Sequence, residues 1–531
     1  MLSQPRRPGR RFPWGIGTLP VMPASSATTG APLPDPMVTT SPSSTSRRAL
    51  PLLFLVVAVV GLVALLRIPT FSERVFNSDE AYLATQGEVM NAGGRLYVDT
   101  VDRKPPVVPA VYAAVFSVTG TNDLAPVRVV AVLAQAATAL LLAAEARRRF
   151  GDLRAAWLAA LLYVLAASSF FPQDALAANF EVFMLPLMTA AFVLAARRHT
   201  AASGVALAAA TLTKQTAAVA IVPLALLAWR RRGWRGLAVL GLAFAVPVLV
   251  VAALFGFHDF VFWVFTGNGG YLDASGIWGY VLSLGARQTG WFLFGQLALV
   301  VLAAFAWRRR RDDLDLWLWL GSGVLAVVAG LRFFPHYYLQ LLPPLVLLAV
   351  AGIQTRRVAT RGKVAVVAVV VACCTCAYFL RPAFTFHDTR DTKLALAAGN
   401  YLAAHTTPAQ RVLVWGQAPE AYWIADRTPS TRFATTGFVT GTSGGRPPWR
   451  VGTRYAVPGA WDDFMRDLRA HPPALIADMT TANQRKGSNY PPSRYPRFAR
   501  YLEEGGWHPV ARVDGVTILA PAERDTGRVS G

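Results

Sequence analysis

The stretch NSDEAYLATQGEVMNAGGRLYVDTVDRKPPVVPAVYAA (residues 77–114) places a short polar helix directly before an apolar segment. Ser78 is a residue type that caps helix N-termini, and Asp79 and Glu80 then fall in the first turn, where acids complement the helix dipole. Gly93 and Gly94 mark its end. The apolar part, Val107 to Gly120, contains Pro109 and has the length of an interfacial or re-entrant helix rather than of a membrane span. Residues 67–126 are therefore expected to form one long exterior loop whose second half dips into a membrane surface.

Working outward, charge supports that choice. Counting Val107–Gly120 as a span would put the Arg147–Arg149 cluster on the outer side. With it left out, the loops 147–154, 197–203, 230–236, 308–314 and 356–363 share one side and hold 18 Lys/Arg against three Asp/Glu. The opposite loops hold eight basic and ten acidic residues. Basic residues concentrate on the cytoplasmic side of membrane proteins, so the N-terminus is expected inside.

The whole chain fits this class. Of 531 residues, 54% are hydrophobic and 15% charged, and the mean hydropathy is +0.37. A soluble domain carries about a quarter charged residues. The net charge of +22 comes largely from short arginine clusters between apolar runs, which indicates membrane orientation and not a nucleic-acid partner. Cys373, Cys374 and Cys376 sit together in one apolar run, unlike a disulfide framework or a spaced zinc site.

The expected fold class is a polytopic α-helical membrane protein with about 11 transmembrane helices. A disordered cytoplasmic tail covers 1–48, a transmembrane domain covers 49–380, and an exterior α/β domain covers 381–531. The first span is Ala49–Leu66. The others lie near 127–146, 157–171, 181–196, 203–213, 216–229, 237–255, 289–307, 315–330, 338–353 and 364–380. In the C-terminal part, RVLVWG (411–416) and ALIAD (474–478) read as buried strands, VARVDGVTILA (510–520) as a hairpin with an Asp-Gly turn, and WDDFMRDLRA (461–470) as an amphipathic helix.

Ionisable groups within or beside spans are functional hypotheses by default. Glu181 begins a span just after Asn179, and Lys214 separates two short apolar runs, either as a phosphate ligand or as a turn marker. His336, Tyr337 and Tyr338 lie in FFPHYYLQ at an exterior interface, where Tyr338 reads as a belt anchor. The aromatic loop 255–280 suits either a sugar-stacking surface or an interfacial helix.

The Asp79-Glu80 pair followed by Lys104-Pro105-Pro106 resembles the polyprenyl-phosphate-sugar-dependent glycosyltransferases of the GT-C fold, the family 39 protein O-mannosyltransferases and aminoarabinose transferases. Three further stretches in matching order add to the likeness: AANFEVFMLPL (177–187), GVALAAATLTKQTA (204–217) and RFFPHYYLQLLPPL (332–345). Together they cover about 50–380.

The resemblance implies a multi-pass enzyme of the plasma membrane. It would transfer a monosaccharide from a polyprenyl-phosphate carrier to a hydroxyl on a glycan, lipid or protein at the exterior face, with inversion. It implies Asp79 as general base, since a hydroxyl's pKa lies far above 7. Glu80 cannot duplicate Asp79, because neighbours on a helix point about 100° apart; it would orient the acceptor or a cation. Lys104 and then Arg332 are the leading phosphate ligands, with His336, Tyr337 and Lys214 as further donor contacts. Glu181 and Asn179 are acceptor or metal contacts. Relatives differ in needing a divalent cation, so the metal stays open. The rival readings are a lipid-linked sugar transporter or flippase, which would show paired repeats and broken mid-membrane helices, and a non-catalytic envelope scaffold.

Overall fold

Long runs of Ala, Leu and Val without charge leave the backbone no partner in an apolar setting except itself, and the result is a helical protein. The computed structural model describes residues 44–268, 272–384 and 389–522. The expected tail lies mostly outside these residues, and the first helix, Ser44–Leu66, already begins within it.

Among the described residues, four helical stretches are long and apolar enough to cross a membrane by length and composition, Leu124–Phe150, Gln215–Leu254, Pro335–Gln354 and Val358–Phe384, the second of which folds back within its length. The pair Trp278–Gly295 and Leu297–Arg309, bent by 83°, has the same length and apolarity only when its two helices are taken together. Shorter apolar helices occupy Leu50–Leu66, Val107–Thr119, Leu153–Ala167, Phe180–Ala196, Thr200–Thr213 and Leu314–Ala329.

Two of the expected spans, 216–229 and 237–255, abut as two helices within Ile221–Leu254 and break at Gly233, whose φ of 54° a residue with a side chain rarely adopts. A Cβ on Gly236 would stand 2.4 Å from the Ala228 carbonyl oxygen. Residues eight apart in a straight helix are separated by about 12 Å, so the chain reverses here. The arginine-rich connection is a tight helical hairpin.

The helix Ser78–Asn91 crosses Val107–Thr119 closely: a Cβ on Gly87 would meet the Ala113 backbone nitrogen at 3.0 Å. Val108, Tyr112 and Phe116, spaced one turn apart, form the buried face of the second helix.

The C-terminal part carries a four-stranded sheet: β1 (Val412–Trp415), β2 (Leu475–Asp478), β3 (His508–Val513) and β4 (Val516–Ala520), in the order β1-β2-β4-β3. β1 and β2 are parallel and the other pairs antiparallel. Asp514 and Gly515 both have positive φ, as a two-residue hairpin turn of type I′ requires. The amphipathic helix Ala460–Ala470 buries Phe464, Met465 and Leu468. Trp423 and Ile424 from this part pack into one apolar cluster with Val75, Leu83 and Val108, which draws the sheet unit over the helix Ser78–Asn91.

Candidate functional site

Two adjacent carboxylates on one helix meet opposite surroundings. The N-cap is Asn77 and not Ser78: its side-chain oxygen accepts from the Asp79 backbone N–H at 2.8 Å. The Ser78 hydroxyl is thereby left to donate to Glu420 and to accept from Arg485 at 2.8 Å, both C-terminal residues. Burial pushes the Glu420 carboxyl up, against the opposing pull of Arg485 and Ser78.

Glu80 is fully buried. One carboxylate oxygen accepts from Arg128 Nε and Nη2 at 3.0 and 2.7 Å, and the other from the Ala178 N–H at 2.7 Å. Arg128 also donates to the Glu73 carbonyl at 2.8 Å. Glu80 is thus paired with the Arg128 guanidinium and, unlike Asp79, is not among the residues lining the cavity.

Asp79, about a third of a turn on, is exposed. It lines a cavity of about 480 Å³ together with Asp102, Lys104, Lys214, Tyr337 and Arg485. It also lines an adjoining space of about 330 Å³ that adds Asp174 and His336.

The far wall is built from a chain of charges. Lys214 follows the helix Thr200–Thr213, where the backbone leaves helical geometry, and its ammonium pairs with Glu181 and lies 3.9 Å from the centre of the Tyr337 ring. His336 Nε2 is 3.9 Å from Glu181, and Nδ1 is 2.8 Å from Asp174, whose second oxygen accepts the His336 backbone N–H at 3.0 Å. Burial would raise the Asp174 carboxyl; the His336 imidazole, helped by Lys214, holds it below the usual range. The Lys104 ammonium lies 4.8 Å from the Phe180 ring centre, and the Tyr97 hydroxyl donates to the Lys104 carbonyl at 2.8 Å.

Of the residues singled out from sequence, Asp79, Lys104, Lys214, His336 and Tyr337 thus surround adjoining spaces. Glu181 stands behind Lys214, fully buried. Asn179 is buried, with both side-chain amide atoms lacking a hydrogen-bond partner among the described residues. Arg332 is one layer behind the cavity wall, donating to Ser443 Oγ at 2.6 Å and the Gly444 carbonyl at 2.8 Å. Those two residues line the cavity in its place.

Sequence reasoning passed over Asp174, Asp102, Arg128 and Arg485. Arg128 carried a signal, a lone charge early in a long apolar helix. Arg485 carried none, since it arrives from a unit some 400 residues away in the chain.

Oxygen or nitrogen atoms of Asp79, Asp174 and His336 lie within 4.8 Å of one another, the only such His/Cys/Asp/Glu group among the described residues. Asp174 and His336 already bond each other through Nδ1, which leaves His336 Nε2, 3.9 Å from Glu181, as the nitrogen a cation could use without breaking that bond.

The bundle of apolar helices with a polar helix beneath a sheet unit is similar in fold to GT-C glycosyltransferases of known structure. Residues 103–263 match the family model for dolichyl-phosphate-mannose-protein mannosyltransferase. Over most of its length the chain is similar in fold to ArnT from Cupriavidus metallidurans. For ArnT bound to undecaprenyl phosphate the TM-score is 0.57 at 16% identity, covering 91% of this chain and 100% of ArnT. For apo ArnT it is 0.59 at 17% identity, covering 90% and 98%. The Archaeoglobus fulgidus oligosaccharyltransferase in complex with Zn and sulfate matches with a TM-score of 0.54 at 12% identity, covering 88% of this chain and 73% of that one. No curated protein sequence matches significantly.

Proposed function

We propose that the chain is a membrane glycosyltransferase that moves one sugar from a polyprenyl-phosphate carrier to an acceptor hydroxyl on a glycan, lipid or protein at the outer face of the plasma membrane. The observation that carries this is the exposed Asp79 carboxylate sharing one cavity with the ammonium groups of Lys104 and Lys214. The cavity's size suits a hexose, and the structural likeness to ArnT bound to undecaprenyl phosphate supports a lipid-linked donor. The arginine distribution supports a cytoplasmic N-terminus and an exterior C-terminal unit.

In this reaction Asp79 takes the proton of the acceptor hydroxyl as its oxygen attacks the anomeric carbon. The bond from that carbon to the phosphate oxygen breaks, and a single displacement inverts the configuration. The departing lipid phosphate gains charge, which Lys104 and Lys214 neutralise in a partly water-excluded site. Glu181 and Tyr337 hold Lys214 in place. Arg332 acts through the Ser443–Gly444 wall, and His336 through Asp174. No step requires a metal at the Asp79–Asp174–His336 group.

The test is Asp79→Asn, assayed by transfer of radiolabelled sugar from polyprenyl-phosphate mannose to acceptors in membrane extracts. Loss of about 10²–10⁴-fold in rate, with protein level unchanged, is expected for removal of a general base. Undiminished transfer would end the assignment of Asp79, and lipid-linked sugar translocated without transfer would favour the flippase reading.

A further inference from the structure

We infer that Asp102 reads the sugar being transferred: its carboxylate accepts hydrogen bonds from ring hydroxyls of the lipid-linked donor and so sets which sugar the cavity takes. This rests on the transferase reading above and names a recognition element within it.

Asp102 is only 6% exposed, yet it lines the cavity that contains Asp79 and Lys104. Its Oδ2 has no hydrogen-bond partner among the described residues. Buried polar atoms are almost always partnered, so the empty Oδ2, itself buried beneath the cavity surface that its residue lines, points to a donor that reaches it when the cavity is filled.

The residue is held rigidly. The Tyr82 hydroxyl and Gln86 Nε2 both donate to the Val101 carbonyl, at 2.5 and 3.1 Å, immediately before Asp102. The Tyr97 hydroxyl fixes the Lys104 carbonyl just after it. A strap pinned on both sides presents its carboxylate at little further ordering cost, as a specificity element requires.

The chemistry of the missing partner follows from the charges around it. Arg103 and Lys104 on its own loop already supply positive charge beside Asp102, although burial outweighs their pull on its carboxyl. What Oδ2 lacks is a hydrogen-bond donor, not a cation, and neutral sugar hydroxyls supply donors without adding charge. Position argues for the donor sugar over the acceptor. Asp102 and Lys104 are two residues apart, at most about 7 Å along the chain. A phosphate on Lys104 would bring the ring attached to it within reach of Asp102.

The test uses the full-length protein in lipid nanodiscs with three probes: bare polyprenyl phosphate, polyprenyl-phosphate mannose, and its 2-, 3- and 4-deoxy analogues. Wild type is expected to bind the mannosylated lipid more tightly than the bare lipid and to discriminate about ten- to hundredfold against at least one deoxy analogue, as for hydrogen bonds to a charged group. Asp102→Asn should raise KM for the parent sugar by a similar factor, leave kcat within a few-fold, and erase the discrimination.

A pH readout separates recognition from mere structure. Asp102 is buried with its carboxyl pushed up to about 6, while Arg103, Lys104, Asp79, Tyr82, Lys214 and Arg485 face the same cavity. Donor affinity should weaken as pH falls through about 6 in wild type and not in Asp102→Asn, with binding of bare lipid unaffected. An unchanged deoxy-analogue profile in Asp102→Asn overturns the inference even if Asp79→Asn abolishes transfer. Failure of wild type to bind either lipid overturns it together with the proposed function.

Discussion

Glu80 and Arg128 meet where neither reaches water, with side-chain exposures of 0% and 4%. A buried pair of this kind contributes little net stability compared with apolar replacements, but removing one member strands the other charge. Arg128→Met should therefore destabilise the protein by about 3–5 kcal/mol, while the double variant Glu80→Leu/Arg128→Met should recover much of that loss. Thermal unfolding in detergent, monitored by tryptophan fluorescence, checks both; equal destabilisation in single and double variants would count against the pair as an isolated unit. At this scale the sequence showed the Asp79-Glu80 pair and, from helix geometry, that its members part company. It could not show that Asp174 and Asp102 join Asp79, because Asp174 sits in a one-turn helix, Pro172–Ala175, and Asp102 in an irregular stretch, and both are positioned by tertiary contacts: His336 for Asp174, and Tyr82, Gln86 and Tyr97 around Asp102.

The helix Ser78–Asn91 is a stratum of its own, roofed by the C-terminal unit on one side and packed on Val107–Thr119 on the other. Glu88, near its end, accepts from Asn122 Nδ2 at 2.9 Å, while Asp426 draws on the same amide at 3.2 Å. Burial first, and then the Asp426 charge, push the Glu88 carboxyl up to about 8. A carboxyl in the unfolded chain titrates near 4.3, so between those values the unfolded state releases the proton more readily than the folded one. The contribution of Glu88 is complete below about 4.3 and is lost as pH rises through 8. Glu88→Gln should then leave Tm unchanged near pH 4 and raise it relative to wild type at pH 9, by differential scanning fluorimetry across the range; a gap independent of pH would refute the titration. Element boundaries were legible wherever periodicity or turn chemistry was strong, as in the Asp514-Gly515 hairpin and in β1 and β2. The arginine-rich connection 230–236 looked like an open loop because charge marks the membrane edge whether the chain there is coil or helix. Its helical hairpin depends on the backbone approach that Gly236 permits.

At the scale of the whole molecule, the C-terminal unit closes the candidate site. Gln417, Thr435, Phe438, Ser443 and Arg485 all form part of the wall that faces Asp79, and Glu420 and Arg485 clasp Ser78 from above. Charge, strand and helix patterns beyond 381 predict a small α/β domain and leave its purpose open, because contacts between side chains so distant in sequence are set by tertiary packing. A chain ending at Phe384 keeps the apolar helices that a bilayer recognises, so it should still resist carbonate extraction from membranes. It should transfer no detectable sugar, since the cavity loses a wall and opens to water, which weakens every electrostatic contact inside. The point variant Arg485→Met tests the same dependence without removing the fold. Its segment carries positive φ at Asn483, Arg485 and Lys486, a backbone conformation disfavoured for such residues and retained where surroundings enforce it, often at functional sites. Loss of the guanidinium should lower kcat/KM for the lipid-linked donor about tenfold with Tm unchanged. Full transfer by the truncated chain, or an Arg485→Met enzyme equal to wild type at low ionic strength where screening is weakest, would mean that the sheet unit only rests on the catalytic part and takes no share in its work.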